Sequence, residues 1–292
     1  MLSWRRASDP NEGTALGDEG YSRLFGDWNS DGGTGLAEME LNAGDRKPRN
    51  LKLTVAYDGS GYHGFQRQTN ARTIQQVLEE KLSLLLKEEV RLTGAARTDT
   101  GVHAYGQVIG IRTASSIPTE RIPVAAAGVL PRDIAVIDAA EVPESFHARF
   151  SARGKIYQYK ILNSSVPNPL LRNFAWQITH VLDAPGMQQA LQLLVGEHDF
   201  SAFQATGSSA RNPVRTLFSA NCRRQGDDIE FQFHGNGFLY HMVRNIVGTV
   251  VDLGAGRIDR DGFRHILMGR DRALAGATAP PNGLYLKQVL YG

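Results

Sequence analysis

Leu51-Lys52-Leu53-Thr54-Val55-Ala56-Tyr57-Asp58-Gly59-Ser60-Gly61 sets Leu, Leu, Val and Tyr at every second position and then breaks into a polar, glycine-rich turn. Alternation with period two predicts a strand with one buried face. Just downstream, Ile74, Val77, Leu78, Leu82 and Leu85 recur at helical spacing, with Glu79, Glu80, Lys81 and Lys87 on the other side. That pattern predicts an amphipathic helix over residues 73–88. Working outward, short strands are expected around 90–96, 106–113 and 134–142, with a helix around 119–129. The second half repeats the style, with strands around 155–162, 214–223, 228–234 and 284–290. Ile229, Phe231 and Phe233 alternate there against Glu230, Gln232 and His234, as on an antiparallel strand with one open face. A helix is expected from Asp183, with Pro185 in its first turn, through Leu191 and Leu194. Another spans about 239–253 and stops at Gly254. Helices packed on a sheet follow from this alternation, an α+β fold of two halves, 50–150 and 151–292.

A chain of 292 residues is long enough for about two such domains. Its 41% hydrophobic and 21% charged residues and mean hydropathy of −0.29 exclude a wholly disordered chain. No apolar run approaches the roughly 18 residues of a spanning helix. Cys222 is the single cysteine, so neither an intrachain disulfide nor a Cys-rich zinc site is available. Residues 1–49 hold eight of the 31 glycines, and nine acidic against six basic side chains. They read as a disordered extension, although Trp4, Tyr21, Phe25 and Trp28 are many aromatics for one. Arg5-Arg6 is followed by Ala7-Ser8-Asp9-Pro10 instead of an apolar core, and the acidic content disfavours a transit peptide, so the expected location is cytoplasmic. Residues 50–292 carry 26 basic and 21 acidic groups, and the basic set is 20 Arg to 6 Lys. Arg forks match phosphate and stack on bases, which leans toward nucleic acid.

The densest polar cluster outside the head is Arg97-Thr98-Asp99-Thr100-Gly101-Val102-His103-Ala104. It lies between two expected strands, so Asp99 should sit at the rim of a sheet, a common place for catalysis. Asp and Thr before Gly also make an ordinary Asx turn. A metal would need more ligands than Asp99 and His103 supply. Farther on, Tyr157 and Tyr159 share one face of a strand with Lys160 on the other, as suits base stacking with phosphate contact or, equally, a tyrosine core. Val243, Val247 and Val250 form an apolar stripe with Arg244 beside it, where an Arg either snorkels or meets a carboxylate.

Together these segments resemble the TruA family of tRNA pseudouridine synthases. Arg97 to His103 is similar to that family's catalytic signature, in which the aspartate of Arg-Thr-Asp is the essential group. Tyr62-His63-Gly64-Phe65-Gln66-Arg67-Gln68 resembles the first loop, Phe146-His147-Ala148-Arg149 the linker segment and Tyr157-Gln158-Tyr159 the Tyr-x-Tyr strand. Phe238 to Gly248 resembles the helix with the active-site Arg, and Gly283-Leu284-Tyr285-Leu286 the closing strand. The likeness covers about residues 50–292. Ala96 departs from it, standing where the family usually has Gly.

The resemblance implies a pseudouridine synthase fold, two similar sheet-plus-helix halves with a cleft between them. It implies isomerisation of uridine at positions 38–40 in the anticodon arm of tRNA, without cofactor or metal, by a homodimer. One carboxylate suffices because the detached base stays bound and no water attacks, unlike glycoside hydrolysis. Asp99 would be that carboxylate, acting as covalent nucleophile or as base toward a glycal intermediate. Arg244 would pair with it, Tyr157 stack on the uracil, and Leu286 wall the base. Arg97 would fill the space of the extruded nucleotide. Arg67, Arg211 and Arg215 complete the candidate RNA contacts, with His103, which a role as a hydrogen-bonding turn residue explains equally well. Two other readings are a noncatalytic RNA-binding protein on the same scaffold and a metal-dependent hydrolase using Asp99 and His103.

Overall fold

The computed structural model describes residues 47–207, 210 and 212–292. The extension expected over 1–49 therefore lies almost wholly outside the described residues, as does Arg211. Ten strands are β1 (Arg49–Tyr57), β2 (Leu92–Gly94), β3 (His103–Thr113), β4 (Ile134–Val142), β5 (Ala152–Asn163), β6 (Trp176–Ile178), β7 (Gly196–Asp199), β8 (Val214–Gln225), β9 (Asp228–Gly235) and β10 (Leu284–Tyr291). Among the described residues the five α-helices are α1 (Ile74–Leu86), α2 (Ile122–Ala127), α3 (Ala184–Leu191), α4 (Met242–Gly254) and α5 (Arg260–Gly269). Among the described residues no helix is long and apolar enough to cross a membrane.

All ten strands join one sheet, ordered β4-β1-β3-β10-β5-β9-β8-β7, with β2 on β3 and β6 on β5. Neighbours pair antiparallel except β10 with β3 and β6 with β5. The late strand β10 thus bridges the two halves: Leu286 registers with Ala104 on one side and with Tyr157 on the other. Alternation sets the buried face. Leu51, Leu53, Val55 and Tyr57 are at most 5% exposed, and Tyr157, Tyr159, Phe231 and Phe233 continue the layer across β5 and β9.

Helix ends follow local chemistry. The Thr73 hydroxyl accepts from Gln76 N–H at 3.3 Å and starts α1; Asp183 Oδ1 accepts from Gly186 N–H at 3.0 Å and starts α3. Each satisfies a donor that the helix itself leaves free. α4 begins at Met242, later than the expected 239, because His241 takes a left-handed conformation (φ 59°) that no helix continues. β3 begins at His103, earlier than the expected 106. α5 was not foreseen; Asp259 caps it by accepting from Gly262 N–H at 2.7 Å.

Candidate active site

Tight packing of two loops presents Asp99. Phe65 N–H donates to Thr98 O at 3.0 Å, and Gly101 N–H to Tyr62 O at 3.3 Å. Gly64, at φ +84°, is what allows this: a Cβ there would lie 2.8 Å from Thr98 O. From below, the buried Tyr57 hydroxyl meets Thr98 Oγ1 at 2.7 Å. The Gln107 amide grips residue 96 at both ends, accepting from Ala96 N–H at 3.2 Å and donating to Ala96 O at 2.8 Å. The carboxylate is thereby held by a rigid sheet and not by a free loop.

Arg244 reaches it from α4. Its Nη1 lies 3.2 Å from Asp99 Oδ2, and its Nε donates to Ala279 O at 2.8 Å. Solvent reaches only 12% of the Arg244 side chain and 21% of Asp99. The segment bearing Ala279 is stapled to α4 by a buried network. Asn245 Oδ1 accepts from Arg272 Nη2 at 3.1 Å and Thr278 Oγ1 at 2.6 Å, while its Nδ2 donates to Phe203 O at 2.8 Å. Gly248 permits that closeness, because a methyl group there would overlap Ala277 O.

His241 was not singled out from the sequence, yet its Nε2 stands 3.4 Å from Asp99 Oδ2. Burial holds its imidazole below the ordinary value of 6.5, with Arg244 and Arg272 adding and Asp99 opposing. It stands at the N-cap position of α4, three residues before Arg244, and no pattern in the sequence marks it.

Asp99, Arg244 and His241 share a cavity of about 800 Å³ with Arg97, Tyr157 and Arg215. Tyr157 is 8% exposed, with Phe238 edge-on at 4.9 Å. Burial pushes its phenol well above the usual value, so the hydroxyl stays protonated. Arg97 is exposed on the cavity wall and has no hydrogen-bond or ion-pair partner among the described residues. Arg215 Nη1 donates to the carbonyls of Asn212 (2.8 Å) and Val214 (2.6 Å). Asp99 is the one acid among the described lining residues, against Arg97, Arg149, Lys155, Arg215 and Arg244. An ion-paired carboxylate beside a buried aromatic in a cationic hollow suits chemistry on a flat, anionic polymer unit.

Three candidates fall elsewhere. His103 does not line this cavity: it opens β3 at 2% exposure and stacks on Tyr285 at 4.8 Å. Its Nδ1 lies 3.1 Å from Gly59 N–H and 3.2 Å from Asp58 Oδ1, and its Nε2 donates to Asn173 O at 2.9 Å, so neither nitrogen is left for RNA or metal. Leu286 is fully buried and does not line this cavity, whereas Leu284, on the same strand face, does. Arg67 lines a separate hollow beside α1 with Arg72 and Lys81, its Nε 2.9 Å from Glu79 Oε2.

Comparison with known proteins places this geometry. A family model described as tRNA pseudouridine synthase matches residues 53–151 and 190–292, which takes in Asp99, Arg215 and Arg244. The tRNA pseudouridine synthase A of Thermoanaerobacter sp. (strain X514) is 47% identical over 243 residues, 83% of this chain and 100% of that protein. The protein of the same name from Acetivibrio thermocellus is 46% identical with the same coverage. A match of this extent, with the ion pair and the aromatic wall inside the matched region or beside it, means that the chain belongs to the tRNA pseudouridine synthase family.

Proposed function

We propose that the protein isomerises uridine to pseudouridine at positions 38–40 in the anticodon stem-loop of tRNA, working as a homodimer in the cytoplasm. The ion pair of Asp99 with Arg244 at 3.2 Å, inside one cavity with Tyr157, carries this reading. The N1–C1′ bond breaks, the uracil turns in place, C5 bonds to C1′, N1 gains a proton and C5 loses one. Asp99 attacks covalently or removes a ribose proton; both routes start from the same carboxylate, which the Arg244 guanidinium faces at 3.2 Å. Arg244 itself is held by Ala279 O, so the charge is aimed before substrate arrives. Tyr157 stacks on the uracil. Its protonated phenol is no standing base, so its first role is the stack.

Arg97, unpartnered at the wall, takes the place vacated by the extruded nucleotide. Leu284 supplies the apolar wall, and Leu286, two residues along the same strand, is buried. Arg215 and Arg67 contact the RNA backbone, which positions a stem-loop by shape. His103 acts indirectly, fixing the first loop through Gly59.

Mapping pseudouridine in tRNA incubated with the wild-type protein and with Asp99→Asn, chelator present, tests the proposal. Conversion at 38–40 by the wild type alone, with tRNA still bound by both, is the expected outcome. A wild type that binds tRNA and converts nothing refutes it.

A further inference from the structure

Phe150 stands at the rim of the cavity with 76% of its surface exposed, where a phenylalanine forgoes the burial that ordinarily holds it. The backbone beneath the ring is nonetheless pinned. His147 Nδ1 accepts from the backbone N–H groups of Arg149 (3.1 Å) and Phe150 (3.2 Å), and Ser151 N–H closes the turn on His147 O at 2.9 Å. The imidazole lies against the Phe150 ring with centroids 4.3 Å apart, and the Arg149 guanidinium stands 5.8 Å from the ring centre. Most of the residue's surface remains open at the cavity rim.

Beside it Lys155 lines the same cavity, and its side chain has no partner among the described residues. Burial and the charges of Arg149 and Arg215 draw its ammonium down to about 8. The lone lining acid, Asp99, is already paired with Arg244. Among the described residues Lys155 and Arg215 are therefore cations without a counter-charge, and an anion placed between them would relieve their repulsion.

We propose that Phe150, Lys155 and Arg215 form a nucleotide subsite next to the reacting one. The base adjacent to the target uridine stacks on Phe150, and the phosphate joining the two nucleotides lies against Lys155 and Arg215. This rests on the RNA reading of the cavity and adds how the neighbouring nucleotide is held. Extruding a uridine strips its neighbour of a stacking partner, and the open face of Phe150 replaces it.

The test uses the full chain and an anticodon stem-loop RNA. Base–aromatic stacking gives an expected rise in Kd of roughly 5- to 150-fold for Phe150→Ala, carried by KM. Phe150→Trp should bind within about threefold of wild type. Lys155→Ala should weaken binding and flatten the slope of log K against log salt by about 0.7, whereas Phe150→Ala should leave that slope alone. Because the ring is so exposed, both Phe150 variants should melt close to wild type, which a thermal scan checks. Wild-type affinity in Phe150→Ala, equal losses in the Ala and Trp variants, or an unchanged slope in Lys155→Ala overturns the subsite. A change in sedimentation of the free protein with RNA affinity intact also overturns it and assigns Phe150 to a protein–protein contact. A wild type that binds the RNA without converting uridine defeats the enzymatic reading alone, since the Kd comparisons remain interpretable.

Discussion

Replacing Arg244 by Ala removes the cation that faces Asp99 and leaves the rest of α4 in place. At 3.2 Å two unit charges attract by about 5 kcal/mol with an effective dielectric near 20. Partial exposure, 12% for Arg244 and 21% for Asp99, tempers this. Breaking a fully buried pair costs about 3–5 kcal/mol, so the lower end, about 3 kcal/mol, applies. If that stabilisation is exerted in the transition state and not in the bound ground state, kcat falls roughly a hundredfold. Arg244→Lys keeps the charge, but an ammonium cannot reproduce the fork that binds Asp99 through Nη1 and Ala279 O through Nε together. About a tenfold loss is expected for it. Tritium release from 5-tritiated uridine in an anticodon stem-loop measures kcat, and filter binding measures Kd, which should stay within about threefold. Turnover by Arg244→Ala within threefold of wild type, in protein with an unchanged melting profile, refutes the role assigned to the pair.

Tyr157→Phe keeps the stack, so Kd should not change; a slower release of product in burst kinetics would place the C5 proton on the hydroxyl, and equal rates would exclude that route. Gly248→Ala drives a methyl into Ala277 O, at a cost of about 1–3 kcal/mol; calorimetry should show a lower Tm, and because the displaced segment bears Ala279, kcat should fall as well. His103 and His241 both lie below the ordinary 6.5, mainly through burial. Folding then disfavours protonation, and this contribution to stability is complete above pH 6.5 and lost as pH falls below it. Tm measured from pH 7 to 5 should drop, and less so in His241→Asn; a flat or rising curve contradicts the assignment.

Much of the architecture is legible in side-chain periodicity. β4 spans the residues expected of it, and β1 and α1 differ by about two residues at their ends, because each buries a regular stripe that its own periodicity marks. What escapes local pattern is partnership at a distance. His103 reads as a turn residue because its partners, Gly59 and Asn173, lie 44 and 70 residues away. His241 leaves no mark of its left-handed backbone. Period two puts Leu284 and Leu286 on one face of β10 and says nothing of depth, which depends on where that strand inserts. Asp99 and Arg244 could be matched through the resemblance alone, since no spacing rule relates positions 145 residues apart.

That separation has a kinetic side. The strands bearing Asp99's loop close on one another within a short span of chain, whereas β10 must return to β3 across some 180 residues, and long loops are slow to close. Until it does, the carboxylate and its guanidinium sit on segments that have not met. Partly assembled molecules would therefore bind RNA through scattered cations while remaining catalytically silent, and onset of turnover after dilution from denaturant would time the last docking event.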